Sequence, residues 1–204
     1  MIALYLVLAV LAGIFTWSFL EYVIHRWLGH SKQPRTAFGV EHRAHHRTGD
    51  YFAPTAKKML GAAPAVLIAF GVAWLLFGVE IGAAYALGFA GFYTLYEVVH
   101  RRIHTHPPVG PYTRFVRKHH LYHHFHSARM NHGVTSPIWD MVFGTLATTE
   151  LVRVPEAKAT RWMCDADGEV REAFQADYTI RRQRRKADGH LDETDVEQVE
   201  GLPA

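Results

Sequence analysis

Ten of the fifteen histidines in this 204-residue chain fall into four short clusters. In chain order the clusters are spaced H-x4-H, H-x2-H-H, H-x3-H and H-x2-H-H. Imidazole is the commonest protein ligand for intermediate transition metals, and ten rings are more than one ion can use. The pattern therefore predicts a centre for two metal ions. Its ten members are His25, His30, His42, His45, His46, His100, His104, His120, His123 and His124.

Two long apolar stretches place this centre at a membrane. None of the 22 Lys and Arg residues occurs in residues 1–25 or 59–100. Because a helix needs roughly 20 apolar residues to cross a bilayer, these stretches predict three spans and a hairpin turn at 78–82. A buried helical hairpin in a soluble all-α protein is the alternative, which shorter apolar runs would favour. The predicted spans are about 1–24, 60–77 and 83–99.

The distribution of positive charge orients the predicted spans. With three crossings, residues 26–59 and everything after residue 99 lie on one side, which carries every Lys and Arg. The positive-inside rule assigns that side to the cytoplasm and leaves the N-terminus on the other. We therefore expect an all-α integral membrane bundle of about three to four transmembrane helices, with a cytoplasmic helical cap that carries the dimetal site. The membrane is then the inner membrane of a bacterium or the endoplasmic reticulum of a eukaryote.

Helix geometry predicts which imidazoles meet. Positions three or four apart share a helix face, so His100 and His104 point together, and the three histidines of each H-x2-H-H cluster can converge. His25 and His30 are five positions apart, which is about 140° around an ideal helix. We therefore predict that the first helix breaks near Leu28 or Gly29, so that these two rings can share a site.

The rest of the composition excludes other classes of site. The single cysteine, Cys164, excludes an intrachain disulfide framework and a Cys-rich zinc module, so no thiolate metal ligand is predicted. The basic residues are not gathered on one soluble face, so no nucleic-acid partner is predicted. Residues 151–180 suggest a small soluble appendage. Residues 181–204, a basic run followed by an acidic one, suggest a disordered tail that either rests on anionic lipid or is simply solvated.

Four segments around the clusters carry a family resemblance. They read EYVIHRWLGH from Glu21, EHRAHH from Glu41, EVVHRRIH from Glu97 and KHHLYHHFHSARMNHGVTSPIWDMVFGT from Lys118. Together they resemble the membrane fatty acid hydroxylase and sterol desaturase superfamily, and the last segment resembles its fatty acid hydroxylase branch. The resemblance covers residues 17–148, which suggests one domain over 1–150 with histidine boxes at 25–46 and 100–124.

The resemblance implies a non-haem diiron oxygenase that uses O2 to hydroxylate a C–H bond of a lipid, such as a fatty acyl chain or sterol. It implies that the ten clustered histidines are the ligands of two iron ions, with zinc as another occupant of isolated protein. Electrons would come from a separate donor protein. A lipid desaturase or a carotenoid hydroxylase would use the same site. The rival of another class, a membrane metal transporter or metal-binding protein, should carry ligands at the bilayer midplane, whereas residues 1–20 and 60–95 contain no histidine.

Other polar and aromatic residues near the clusters have weaker signals. Four carboxylates could orient ligand imidazoles by accepting a ring N–H, although capping or solvation explains them equally well. They are Glu21, Glu41, Glu97 and Asp140. Four further histidines are out of register with the clusters, and we predict no ligand role for them. Of the four, His126 is the first candidate for an additional ligand. They are His106, His119, His126 and His132.

Aromatic residues on the predicted spans could line a lipid channel, although such residues more often pack helices together. These residues are Trp17, Tyr85, Phe89, Phe92, Tyr93 and Tyr96.

Overall fold

The computed structural model describes residues 1–182 as a mostly helical protein. Residues 183–204, which hold nearly all of the predicted charged tail and His190, lie outside the described range. The all-α expectation missed two short strands that pair in parallel, with Val152 opposite Tyr178. The elements are α1 (Ile2–Val23), α2 (Ala37–Thr48), α3 (Thr55–Phe77), α4 (Val79–Thr105), α5 (Pro111–Phe125), α6 (Ile138–Val142), β1 (Val152–Pro155) and β2 (Tyr178–Arg181).

Two of the described helices are long and apolar enough to cross a bilayer. One is the continuous helical segment Ile2–Gly29, and the other is α3. Only 17% and 6% of their most apolar windows are buried by the rest of the protein. A hairpin in the core of a soluble protein would bury these helices, so the exposure of their Leu, Val and Phe side chains favours a lipid environment.

The turn between α3 and α4 is much tighter than the sequence suggested. Gly78 alone separates the two helices, and its φ of 92° lies in the region that glycine adopts without steric cost. The predicted turn over 78–82 is therefore wrong, because residues 79–82 already belong to α4. Glu80, which was assigned to that turn, lies in the first turn of α4, where a carboxylate interacts favourably with the helix dipole.

The helices α1 and α4 pack with their backbones in close contact. A Cβ atom added at Gly13 would lie 2.1 Å from the carbonyl oxygen of Tyr85, and one added at Gly88 would lie 2.1 Å from that of Val10. Small residues at such positions let membrane helices approach closely. This contact fixes α4 against α1, and it thereby sets the relative positions of the histidines at the ends of both helices.

The segment after residue 150 packs against the histidine-bearing helices. Val152, Val154 and Tyr178 of the strands are buried in one hydrophobic core with Val116 and Leu121 of α5. The predicted appendage is thus continuous with the core of the helical part. Its side chains also reach the clusters, since the Trp162 indole donates to the carbonyl of His104 at 3.2 Å and Lys158 donates to the carbonyl of His46 at 2.8 Å.

Candidate metal centre

The first cluster is brought together by a π-helical turn. After α1 the chain continues as a π-helix over Ile24–Gly29, and His30 follows as its C-cap. Hydrogen bonding from i to i+5 widens the turn, so residues five apart come onto one side. The rings of His25 and His30 therefore lie with centroids 5.3 Å apart. The helix does end at Gly29, but the predicted break is not what joins the two rings, because the intervening turn stays helical.

The ten clustered histidines form two groups of five. Within each group the ligand nitrogens all lie within 4.8 Å of one another. The first histidine group contains His25, His30, His42, His46 and His123. The second histidine group contains His45, His100, His104, His120 and His124. The two groups touch, because the rings of His46 and His124 stack with centroids 3.9 Å apart.

Each H-x2-H-H cluster divides between the two groups. On α2, His42 and His46 join the first group and His45 joins the second, while on α5 His120 and His124 join the second group and His123 the first. The expectation that all three histidines of such a cluster converge is therefore wrong. Residues i and i+4 point to one site, and residue i+3 points about 100° away from i+4, toward the other. The helices α2 and α5 thus each serve both groups.

The spacing of the ring nitrogens fits a metal ion in each group. In the first group, Nε2 of His30 lies 2.9 Å from Nε2 of His123 and 3.0 Å from that of His42. In the second, Nε2 of His120 lies 3.1 Å from that of His104 and 3.0 Å from that of His124. Nitrogens about 2.0–2.1 Å from one ion are about 3 Å apart when adjacent and about 4 Å apart when opposite.

Three rings have a tautomer that leaves Nε2 free to coordinate. Nδ1 of His25 contacts the carbonyl oxygen of His132 at 2.5 Å, Nδ1 of His123 contacts that of Met130 at 2.6 Å, and Nδ1 of His45 contacts that of Tyr51 at 2.8 Å. A carbonyl oxygen only accepts, so each Nδ1 carries the proton and each neutral Nε2 presents a lone pair. Within the described residues, Nε2 of His25 is buried with no protein partner, as a ligand to an ion would be.

Burial keeps these imidazoles neutral at physiological pH. It lowers the pKa of His30 to about 3 and that of His45 to about 4. Burial and then the neighbouring imidazoles lower the pKa of His42, His46 and His124 well below the ordinary value. Neutral rings are the form that binds metal. Their lone pairs would repel one another without a cation, which is a further reason that the groups suit metal ions.

We expect the metal-free protein to lose stability as the pH falls below about 6.5, the pKa of histidine in an unfolded chain. Between that pH and about 4, unfolded chains bind protons that the buried rings of His30 and His45 refuse, so the free energy of unfolding falls with pH. The loss is about 1.4 kcal/mol per pH unit for each such ring. Thermal unfolding of EDTA-treated protein from pH 7.5 to 5.5 measures it, and a Tm that stays constant over that range would contradict it.

Two of the four predicted carboxylates pair with lysines rather than with ligand rings. Glu41 accepts from the hydroxyl of Tyr51 at 2.5 Å and forms an ion pair with Lys57, which lowers the pKa of the Glu41 carboxyl. Glu97 forms an ion pair with Lys58. Both lysines lie in the first turn of α3, so these pairs tie that helix end to α2 and α4. The expectation that Glu41 and Glu97 accept from a ligand imidazole is not met.

The other two carboxylates bind one loop rather than a ligand imidazole. Glu21 accepts from the backbone amides of Val134 and Thr135. Asp140 accepts from the amides of His132 and Gly133, and also from Nε2 of His119, a histidine outside both groups. Burial would raise the pKa of Asp140, but hydrogen bonds from His119, Thr145 and Gly133 outweigh burial and lower it, so this carboxylate is ionised.

The four histidines without a predicted ligand role lie outside both groups. His106 is exposed, and His126 accepts from the backbone amide of Arg153 at 2.8 Å. His119 contacts Asp140 at 3.1 Å. His132 is buried, and its ring centroid lies 5.2 Å from that of His123, so it packs against the first group without joining it.

A cavity of about 300 Å³ opens beside the histidines. Its lining includes His42 of the first group and His45 and His100 of the second. Apolar side chains from several elements form most of its wall, and α3 contributes the small residues Gly61, Ala62 and Ala65. Of the aromatic residues proposed to line a lipid channel, Trp17, Tyr93 and Tyr96 do so, whereas Tyr85, Phe89 and Phe92 are not among the lining residues.

Several residues in and around this centre are not predicted from the sequence. The carbonyls of Tyr51, Met130 and His132 contact the rings, yet every residue has a carbonyl, so sequence carries no signal for them. Lys57 and Lys58 had a signal, because they are the last basic residues before an apolar stretch and therefore mark its boundary.

Known proteins are similar to this chain in sequence and fold. The family model "Fatty acid hydroxylase" matches residues 10–145. A dihydroceramide fatty acyl 2-hydroxylase of Arabidopsis thaliana is 37% identical over 71% of this chain and 62% of its own length. The fatty acid 2-hydroxylase of Homo sapiens is 32% identical over 66% of this chain and 38% of its own.

A solved structure, described as full-length scs7p with only the hydroxylase domain visible, superposes with a TM-score of 0.59 at 27% identity, covering 71% of this chain and 57% of that one. The chain thus spans less than two thirds of the length of these relatives. The family model covers all four histidine clusters and the loop after α5. The apolar helices and this match together identify a membrane protein, and the chain belongs to the fatty acid hydroxylase family.

Proposed function

We propose that this protein hydroxylates the acyl chain of a membrane lipid at a diiron centre held by the two histidine groups. The observation that carries the proposal is the cavity, since one mostly apolar space contacts His42 of the first group and His45 and His100 of the second. A lipid chain in that space would lie against both metal sites at once. About 300 Å³ is at the lower end of the range for small-molecule sites and suits a segment of an alkyl chain.

The proposed substrate is a fatty acyl chain whose carbon 2 is oxidised. The relatives are named as fatty acid or fatty acyl 2-hydroxylases, which supports that position. The two ion pairs of Lys57 with Glu41 and Lys58 with Glu97 line the cavity. Because these charges compensate one another, the cavity favours a lipid with an uncharged head, such as an amide-linked acyl chain, over one with several phosphates.

The side chains of the centre would bind the metal ions and shield them from water. When bound, two iron ions would activate O2 with two electrons from the donor and two protons; the C–H bond would supply the other two electrons, so that one oxygen atom enters that bond and the other leaves as water. Electrons and protons would come from a separate donor protein. The protein's own contribution is to fix ten neutral imidazoles, to keep the acyl chain beside them and to exclude water by the apolar cavity wall.

The proposed topology has three spans, with α4 as the third, and both histidine groups on the cytoplasmic side. The Lys and Arg distribution supports it. The groups sit at the ends of α1 and α4 rather than near the middle of either helix. This position suits chemistry at the membrane surface, whereas a metal transporter needs ligands at the midplane.

The test is lipid mass spectrometry of cells that express the chain, compared with cells that express an inactive variant such as His120→Ala. We expect lipids that gain one oxygen atom in the acyl chain, with fragmentation that places it at carbon 2. Loss of two hydrogens without oxygen would show a desaturase instead. An unchanged lipid profile in cells supplied with iron and a competent electron donor would contradict the proposal.

A further inference from the structure

One loop supplies backbone carbonyls to two rings of the same histidine group. We call residues 130–135 the carbonyl loop. The carbonyl of His132 accepts from Nδ1 of His25, and that of Met130 accepts from Nδ1 of His123. Both rings belong to the first group. In the described part of the chain, the corresponding contact of the second group is His45 with the carbonyl of Tyr51, which lies in a different segment.

The carbonyl loop is held by two buried carboxylates. Four consecutive backbone amides, those of residues 132–135, all donate to them: the first two to Asp140, each at 2.8 Å, and the next two to Glu21 at 2.7 and 2.8 Å. Asp140 is fully buried and Glu21 is 4% exposed. Such a run of N–H groups binds a negative charge strongly, so the two carboxylates fix the loop backbone.

A single peptide group connects Asp140 to a ligand ring. The peptide between residues 132 and 133 donates its N–H to Oδ2 of Asp140 and accepts from Nδ1 of His25 with its C=O. Bonds in such a chain polarise one another, so the carboxylate makes the carbonyl a stronger acceptor and the His25 ring a better electron donor. This is the role that carboxylates usually play by direct contact with ligand histidines.

We propose that Asp140 is a positioning residue that acts on only one of the two metal sites, the one formed by the first histidine group, and that it does so through the carbonyl loop. This inference rests on the proposed function, in that both groups hold metal. Glu21 of α1 binds the other end of the same loop. It accepts from the amides of Val134 and Thr135, which lie two and three residues after the carbonyl that His25 contacts.

The hydrogen bonds predict opposite outcomes for two conservative substitutions. Each oxygen of Asp140 accepts from a backbone N–H, Oδ1 from His132 and Oδ2 from Gly133. In Asp140→Asn, the side-chain NH2 group faces one of these backbone N–H groups in either orientation of the amide. Two donors cannot hydrogen-bond to each other, so the loop must shift. Glu21→Gln can keep its oxygen on both amides, since Oε2 contacts only the Thr135 hydroxyl, which can rotate and accept. We expect the first to impair metal binding and the second to retain it.

The test is zinc binding by the purified full chain in detergent, with metal content measured before and after challenge by a graded chelator. Wild-type protein should hold two ions. Asp140→Asn should lower the affinity for one ion by about 10–100-fold and leave the affinity for the other ion unchanged. This is the range found when the hydrogen-bond partners of metal-ligating residues are removed. The matched control is Asp177→Asn, a buried carboxylate that pairs with Arg114 and Lys118 of α5 and should keep both affinities.

Double variants show which of the two metal sites loses affinity. In a His124→Ala background, which removes a ligand of the second group, Asp140→Asn should weaken the remaining ion; in a His46→Ala background it should have no further effect. If Asp140→Asn does not fold, Thr145→Val removes one donor to Asp140 and should weaken the same site to a lesser degree.

Unchanged affinities in folded Asp140→Asn and Thr145→Val, or equal weakening of both ions, would overturn the inference while leaving the proposed function in place. Wild-type protein that binds fewer than two ions would instead count against the proposed function.

Discussion

Replacing His46 with alanine is expected to abolish lipid hydroxylation and to remove one of the two metal ions. Nε2 of His46 is buried and has no protein partner among the described residues, as expected of a ligand atom. Its ring also stacks on that of His124 in the second group, so the change affects the boundary between the two sites. Because losing an outer partner already costs 10–100-fold, we expect loss of the ligand itself to lower turnover by more than about 100-fold.

The matched control for this prediction is His106→Ala. His106 is exposed, directly follows the last residue of α4 and belongs to neither group. Metal content by mass spectrometry and product formation should both stay at the wild-type level. If His46→Ala retained two ions and full turnover, the assignment of the first histidine group as a metal site would be wrong.

A bulky residue inside the cavity should stop turnover without removing metal. Ala62 lines the cavity from α3, whereas Ala63 is exposed on the same helix and is not among the lining residues. An indole at position 62 would displace several methylene groups of the acyl chain. Four of them, at about 0.8 kcal/mol each, amount to about 3 kcal/mol, which is a loss of more than 100-fold in binding.

The measurement compares Ala62→Trp with Ala63→Trp for product formation and metal content. Ala63→Trp adds the same side chain to the exposed surface of α3 and should remain active. Both variants should hold two ions. Wild-type turnover by Ala62→Trp would mean that the acyl chain does not occupy this cavity, while loss of metal from it would show a structural effect.

The meeting of the ten histidines could be predicted from spacing and charge. The spacing of His100 and His104 is enough to place both rings on one helix face, and the absence of Lys and Arg from the apolar stretches predicts that all four clusters lie on one side of the membrane. The division of each H-x2-H-H cluster between two groups could not be predicted. It depends on where α2 and α5 lie relative to each other, which the spacing within one helix does not determine.

Two local features were hidden because sequence patterns assume ideal helices. The π-helical turn over Ile24–Gly29 changes which residues share a side, and nothing in the segment distinguishes it from an α-helix. Likewise Gly78 alone forms the turn between α3 and α4, where the sequence predicts a turn of five residues. The turn at Gly78 uses a positive φ of 92°, which glycine adopts without steric cost.

The carboxylates show why proximity in sequence is a poor guide to partners. Glu21 lies one helical turn before His25, which made a direct contact plausible, but the amides of residues 134 and 135 bind it instead. Those amides are more than a hundred residues away in the chain. Asp140 was expected to orient a histidine, and it contacts His119 directly and His25 only through a peptide group.

The most direct test of the central claim is the incorporation of oxygen from 18O2 into lipid by purified protein. The protein would be loaded with iron, reconstituted with an acyl lipid and supplied with a reductant and an electron-donor protein. We expect one 18O atom per product molecule at carbon 2 of the acyl chain, and none with His46→Ala. A product whose oxygen comes from water, or wild-type protein that holds two iron ions and forms no oxygenated lipid, would contradict the account.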